Sequence, residues 1–183
     1  MPVSVAGSSG ALRRGAGVLA LGLGLTASVC LAAVPGKPAP APTYTPAQTL
    51  ENARSLASAG QIEDAAVLLD GLATAAPSEL KDDVLFTRGL VLIQQGRFQA
   101  SQESFEELVR RQPEFFPARY MAGLAALQRN LPKDALVHLQ DARKLRPTDA
   151  ATQLQEAKAR YLMADKDNAF KILKALVETQ PTF

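Results

Sequence analysis

Small and large apolar residues return along this chain at fixed intervals. Gly89, Ser101, Phe105, Leu108 and Pro113 are answered 34 residues later by Gly123, Ala135, Leu139, Ala142 and Pro147. The same internal offsets of 12, 4, 3 and 5 residues run forward through Ala157, Ala169, Leu173, Leu176 and Pro181, and backward through Ala53, Ala65, Leu69, Leu72 and Pro77. Four copies of one unit therefore stand in tandem. A period of this length marks a stacked helical array, because one unit alone cannot bury its apolar face. The expected fold class is all-α: an α-solenoid of four helix-turn-helix repeats, at about 46–79, 82–115, 116–149 and 150–183.

Local signals place the helices. Thr45, Pro46 and Gln48 supply a hydroxyl cap, a proline whose missing N–H is not needed at the first helical position, and a glutamine that reaches back to the cap. A first helix is expected from there to Ala59, a turn at Gly60, and a second helix from Ile62 to Ala75, ended before Pro77. In the second repeat Asp82 and Asp83 are expected in a first turn and Arg110 and Arg111 in a last turn, each complementing the helix dipole. Gly96 and Asn130 make the next two turns, and Pro132 opens the helix after Asn130. Ala164 holds the fourth turn position, which predicts a differently shaped turn near Asp165. The first two repeats lie 36 residues apart, and the excess is expected as a longer loop around Ser78 to Lys81.

The small residues have a packing reason. Ala53, Gly89, Gly123 and Ala157 let the second helix approach the first, with Ala65, Ser101, Ala135 and Ala169 as the facing sites. Leu69, Phe105, Leu139 and Leu173 fill the space between, each contributing roughly 1.5 to 3 kcal/mol on full burial.

This pattern resembles the tetratricopeptide repeat, a helix-turn-helix unit of the same period, over about Pro46 to Phe183. The family's early aromatic or leucine site is held here by Thr49, Leu85, Arg119 and Gln153, and the fourth repeat departs most, with Lys158 and Arg160 on its first helix. The resemblance implies a protein-binding scaffold whose first helices line a concave groove. The corresponding positions are Leu50 and Arg54; Phe86, Leu90 and Ile93; Tyr120, Leu124 and Leu127; and Leu154, Lys158 and Tyr161. An apolar partner segment anchored on Phe86 and Tyr120 is one expectation, and packing of the same residues between neighbouring helices is the other. The lysine, arginine and asparagine set with which some members clamp a terminal carboxylate is missing.

Composition narrows the function classes. Of 183 residues, 47% are hydrophobic, which suits a buried core. The formal charge is +2, but without Arg13 and Arg14 the count is 18 basic against 18 acidic residues, so there is no electrostatic case for nucleic acid. No acidic residue precedes Glu51, and 22 uncharged residues separate Arg14 from Lys37. A positive start, an apolar middle from Gly15 to Ala33 and a small-residue exit predict a bacterial export signal over 1–33 and a periplasmic or cell-envelope location. Three readings of it stand open: cleavage after Ala32 or Ala33, retention as an anchor, and lipidation of Cys30. Membrane association is expected only through such an anchor or lipid. Five prolines between Pro35 and Pro46 predict an extended spacer over 34–45.

Nothing in the pattern assembles a catalytic set. His138, the only histidine, is expected on an outward-facing site, and Glu103, Glu106 and Glu107 read as a charged helix face rather than a metal site. No cofactor, metal or enzymatic activity is expected. Phe170, Leu173, Leu176 and Val177 have no following repeat to cover them, so self-association, a partner, or cover by the third repeat and Phe183 is expected there. The functional expectation is a scaffold for protein partners within an export or assembly complex. Its rival is a glycan- or small-ligand-binding module in which Tyr120 and Tyr161 stack on the ligand.

Overall fold

The computed structural model describes residues 44–179. The leader with Cys30, all but the end of the spacer, and Phe183 lie outside them. Among the described residues there are eight helices and no strand: α1 Pro46–Ser58, α2 Ile62–Ala75, α3 Ser78–Gln94, α4 Phe98–Arg111, α5 Phe116–Gln128, α6 Pro132–Leu145, α7 Ala150–Leu162 and α8 Lys166–Thr179. None of them is long and apolar enough to cross a membrane.

The helices pack in chain order, each on the next, so the fold is a helical solenoid. First helices also approach one another across repeats, α1 against α3 and α5 against α7, which sets them on the inner wall. The first helix is entered through a complete capping box: Gln48 N–H donates to Thr45 Oγ1 at 3.3 Å and Thr45 N–H to Gln48 Oε1 at 2.9 Å.

Close approach within each pair rests on the small residues. A methyl added at Gly89 would lie 2.5 Å from Phe105 Cζ, and one at Gly123 would lie 2.7 Å from Leu139 Cγ. Ser101 adds a buried hydrogen bond, its Oγ donating to the Gly89 carbonyl at 2.8 Å.

All four turns between paired helices have one geometry. Gly60, Gly96, Asn130 and Ala164 have φ of 80°, 71°, 57° and 63°. The next residue's N–H returns to the carbonyl five back, Gln61 to Leu56, Arg97 to Leu92, Leu131 to Ala126 and Asp165 to Arg160, each at 2.9 Å. Ala164 thus makes the turn its glycine counterparts make. The different shape expected near Asp165 is not found; packing of α7 on α8 imposes the left-handed backbone despite the Cβ.

Two further expectations are corrected. The extra residues before the second repeat form no loop but lengthen α3 to 17 residues, against 13 in α1, α5 and α7. Glu79, Leu80 and Lys81 are good helix formers with no breaker among them, so the helix starts directly after Pro77. Asp82 and Asp83 consequently sit beyond the first turn. Asp82 works through side chains instead, accepting from Arg111 Nε and Gln112 Nε2 at the end of α4. The Arg111 bond is the main reason its carboxyl is held below the usual range.

The fourth repeat joins the third through charge. Glu156 on α7 is only 2% exposed and accepts from Arg143 of α6 at 2.9 Å and from Arg160 at 3.0 Å. Arg160 also reaches Asp165 at 3.0 Å. A carboxylate so buried is tolerable because both guanidinium groups satisfy it. Arg160 is therefore a packing residue of this junction, not a disturbance of it.

Candidate protein-binding surfaces

Two separate apolar hollows open on the array, the first between α1 and α3 on the inner wall and the second between α7 and α8. Near the N-terminal end, Arg54, Ala57, Phe86, Thr87, Leu90 and Gln94 surround about 330 Å³. At the C-terminal end, Leu154, Gln155, Lys158, Tyr161, Lys166, Phe170 and Leu173 surround about 580 Å³.

The sequence-expected groove residues divide accordingly. Arg54, Phe86 and Leu90 line the first hollow, and Leu154, Lys158 and Tyr161 line the second. Arg54 also bridges α1 to α3, its Nε donating to Thr87 Oγ1 at 3.3 Å. Ile93, Tyr120 and Leu124 are half-buried between the hollows. Leu50 and Leu127 are corrected from groove to core: both are buried in apolar clusters, because their helix positions turn toward the next repeat.

The two expected aromatic anchors are largely spoken for. Phe86 is held edge-on by Phe105 and Phe115, with ring centroids 5.9 and 5.7 Å away. Tyr120 stacks on Phe116 at 6.0 Å and 9°, and Arg146 lies 4.2 Å over the other ring of that pair. Burial, helped by Asp149, raises the Tyr120 hydroxyl above its usual titration range. Both side chains are half-buried and held by neighbouring rings.

His138 is also corrected. It is 16% exposed, and its Nε2 lies 3.4 Å from Glu106 Oε1 on α4. It shares the register of buried Ser104, a signal present in the sequence that side-by-side comparison of repeats reveals. Among the described residues no group of three or more His, Cys, Asp or Glu is placed to hold a metal ion.

At the far end Phe170, Leu173 and Val177 are exposed on α8, whereas Leu176 is buried, so the uncovered stripe is narrower than expected. The sequence pattern did not bring α8 into the groove. The structure joins Lys166, Phe170 and Leu173 to the α7 residues in one hollow.

With this geometry in place, the family model of the tetratricopeptide repeat matches residues 86–150. These residues resemble tetratricopeptide repeats. Solved structures extend the likeness to the array as a whole. "MamA 41-end from Desulfovibrio magneticus RS-1" superposes with a TM-score of 0.69 at 18% identity, covering 75% of this chain and 77% of that one. "Crystal structure of MamA protein" gives 0.68 at 14% identity over 75% and 74%, and the MamA structure of MSR-1 gives 0.68 at 19% over 75% and 79%. At these identities the likeness is one of fold. No curated protein matches the sequence. A tetratricopeptide fold supports a protein-protein interaction scaffold, the general use of this kind of module.

Proposed function

We propose that this chain is an exported, non-catalytic scaffold of the bacterial cell envelope that holds a segment of a partner protein against its inner wall, within an assembly or export complex. The observation that carries the reading is the pair of apolar hollows, one between α1 and α3 and one between α7 and α8, on a fold like that of the tetratricopeptide repeat. An apolar segment is the ligand such hollows suit, with Leu90, Leu154 and Tyr161 as contact residues. Export is supported by the sequence alone, through the uncharged stretch that follows Arg13 and Arg14.

Affinity capture from an envelope extract tests the proposal when the full chain is compared with Leu90→Asp and Tyr161→Asp variants of unchanged helicity. The expected result is a protein retained by the parent and lost from the variants. A retained glycan, or a protein held equally by all three, overturns it. Fractionation of cells producing the full chain tests export, and recovery with the cytoplasm contradicts it.

A further inference from the structure

We propose that the C-terminal end of the array receives an acidic amphipathic helix from another protein, seated where a further first helix would stand. The inference deepens the reading of the C-terminal hollow, which Phe170 and Leu173 line, and rests on the ligand there being a protein segment.

The uncovered positions have counterparts in every earlier repeat. Leu173 corresponds to Leu69, Phe105 and Leu139, all 0% exposed, yet is itself 38% exposed. Phe170, 68% exposed, corresponds to buried Ala66 and Gln102 and to half-buried Leu136. What covers them in earlier repeats is the next first helix: α2 is packed by α3, α4 by α5 and α6 by α7. The site is thus the shape of a helix.

The three first helices that fill this position show what such a helix needs. Val84 and Val91, Ala118 and Ala125, and Thr152 and Ala159 are buried pairs seven residues apart, all small or β-branched. Between them, at four residues from the first, stand Arg88, Ala122 and Glu156. Arg88 bonds Asp70 on α2 at 2.8 Å, and the register of Asp70 on α8 is held by Lys174. The complementary central residue is therefore an acid.

The rim agrees. Lys158 and Lys166 border the hollow and make no ion pair among the described residues, and no acidic side chain lines it. On α8 Lys166, Lys171 and Lys174 outnumber Asp167 and Glu178, and the Lys174–Glu178 approach is a loose 3.9 Å.

Neither residues 1–43 nor residues 180–183 hold an acidic residue, so neither segment matches the charge of the site. A second copy stacked end to end would present α1, whose outer positions Gln48, Glu51, Asn52 and Ser55 are all polar.

The test uses a labelled, stapled helical peptide of about 15 residues, with alanines seven apart, a central glutamate four after the first, and acidic flanks. It is titrated into the full chain by fluorescence anisotropy. Phe170→Asp is expected to weaken binding at least about tenfold, with unchanged circular dichroism because Phe170 is exposed. A lysine-centred peptide is expected to bind worse than the glutamate one, and Lys174→Glu to reverse that preference. Equal binding of the two peptides, or indifference to Phe170→Asp, overturns the proposal. So does concentration-dependent self-association abolished by Phe170→Asp, since a second copy then owns the face. Loss of the peptide in Leu90→Asp alone moves it to the inner wall, which removes the end-face proposal and leaves the scaffold reading standing.

Discussion

The two ends of the array are built differently although they follow one repeat. The first repeat closes on itself: Leu50, Ala53, Ala65, Leu69 and Leu72 are buried in one apolar cluster with Val84 and Val91 of α3, and the outer face of α1 is polar. The fourth repeat is fastened inward by the buried Glu156 network and stays apolar and open outward at Phe170, Leu173 and Val177. Solenoids need polar terminal faces to remain soluble and unpaired. One end meets that need in its own sequence, and the last described helix presents an apolar face.

Removing a partner from the charged junction gives the largest expected effect. Arg160→Ala leaves Glu156 buried with half its partners and should cost about 3 kcal/mol or more, measured by urea unfolding. A loss under about 0.5 kcal/mol, the usual scale of a surface change, would show that the fourth repeat is held by apolar contacts like the first.

Truncating register-matched leucines compares the ends directly. Leu69→Ala should destabilise by about 2 to 5 kcal/mol, the range for buried leucines. Leu173→Ala, already partly in water, should cost under about 1.5 kcal/mol. Equal losses would mean that α8 is covered in solution.

The turns sharpen the comparison at smaller scale. Gly60 and Ala164 share a left-handed backbone, with φ of 80° and 63°. Gly60→Ala should cost about 1 kcal/mol and Ala164→Gly should gain about as much, relieving the Cβ strain. A destabilising Ala164→Gly in thermal melts would contradict this.

The mildest probe is acid. Asp82 is held below its usual range chiefly by the hydrogen bond from Arg111, and Asp141 chiefly by that from Lys144. Folding therefore favours their charged forms. Their contribution is full above the unfolded value near about pH 4 and is lost as pH falls through the lower folded values. Urea midpoints measured downward from pH 6 should fall less steeply in Asp82→Asn than in the parent.

The register legible in the sequence was that of residues whose size is fixed by a neighbour. Gly89 and Gly123 stand where Phe105 and Leu139 leave no space for a methyl group, so pairing and repeat number could be read from them. Features set by tertiary context were not legible. The 36-residue interval does not itself say whether the excess lengthens α3 or the connection, although Glu79, Leu80 and Lys81 favour helix, and the left-handed Ala164 follows from packing that overrides its own preference. The inner-wall residues read from the family's plan separated into core, junction and hollow because the plan gives the face of a helix and not its depth. Leu50 and Leu127 sank, Phe86 and Tyr120 were engaged by other rings, and Lys166 and Phe170 entered from a helix outside that plan.

Site-specific photocrosslinking in intact cells tests the central claim most directly, with the crosslinker placed in turn at Gln94 and Gln155 of the two hollows and at exposed Val67 and Val137 on the second helices. The account predicts discrete protein adducts from Gln94 and Gln155 and none from Val67 or Val137. Adducts confined to the second-helix positions, or no protein adduct from either hollow, would contradict it.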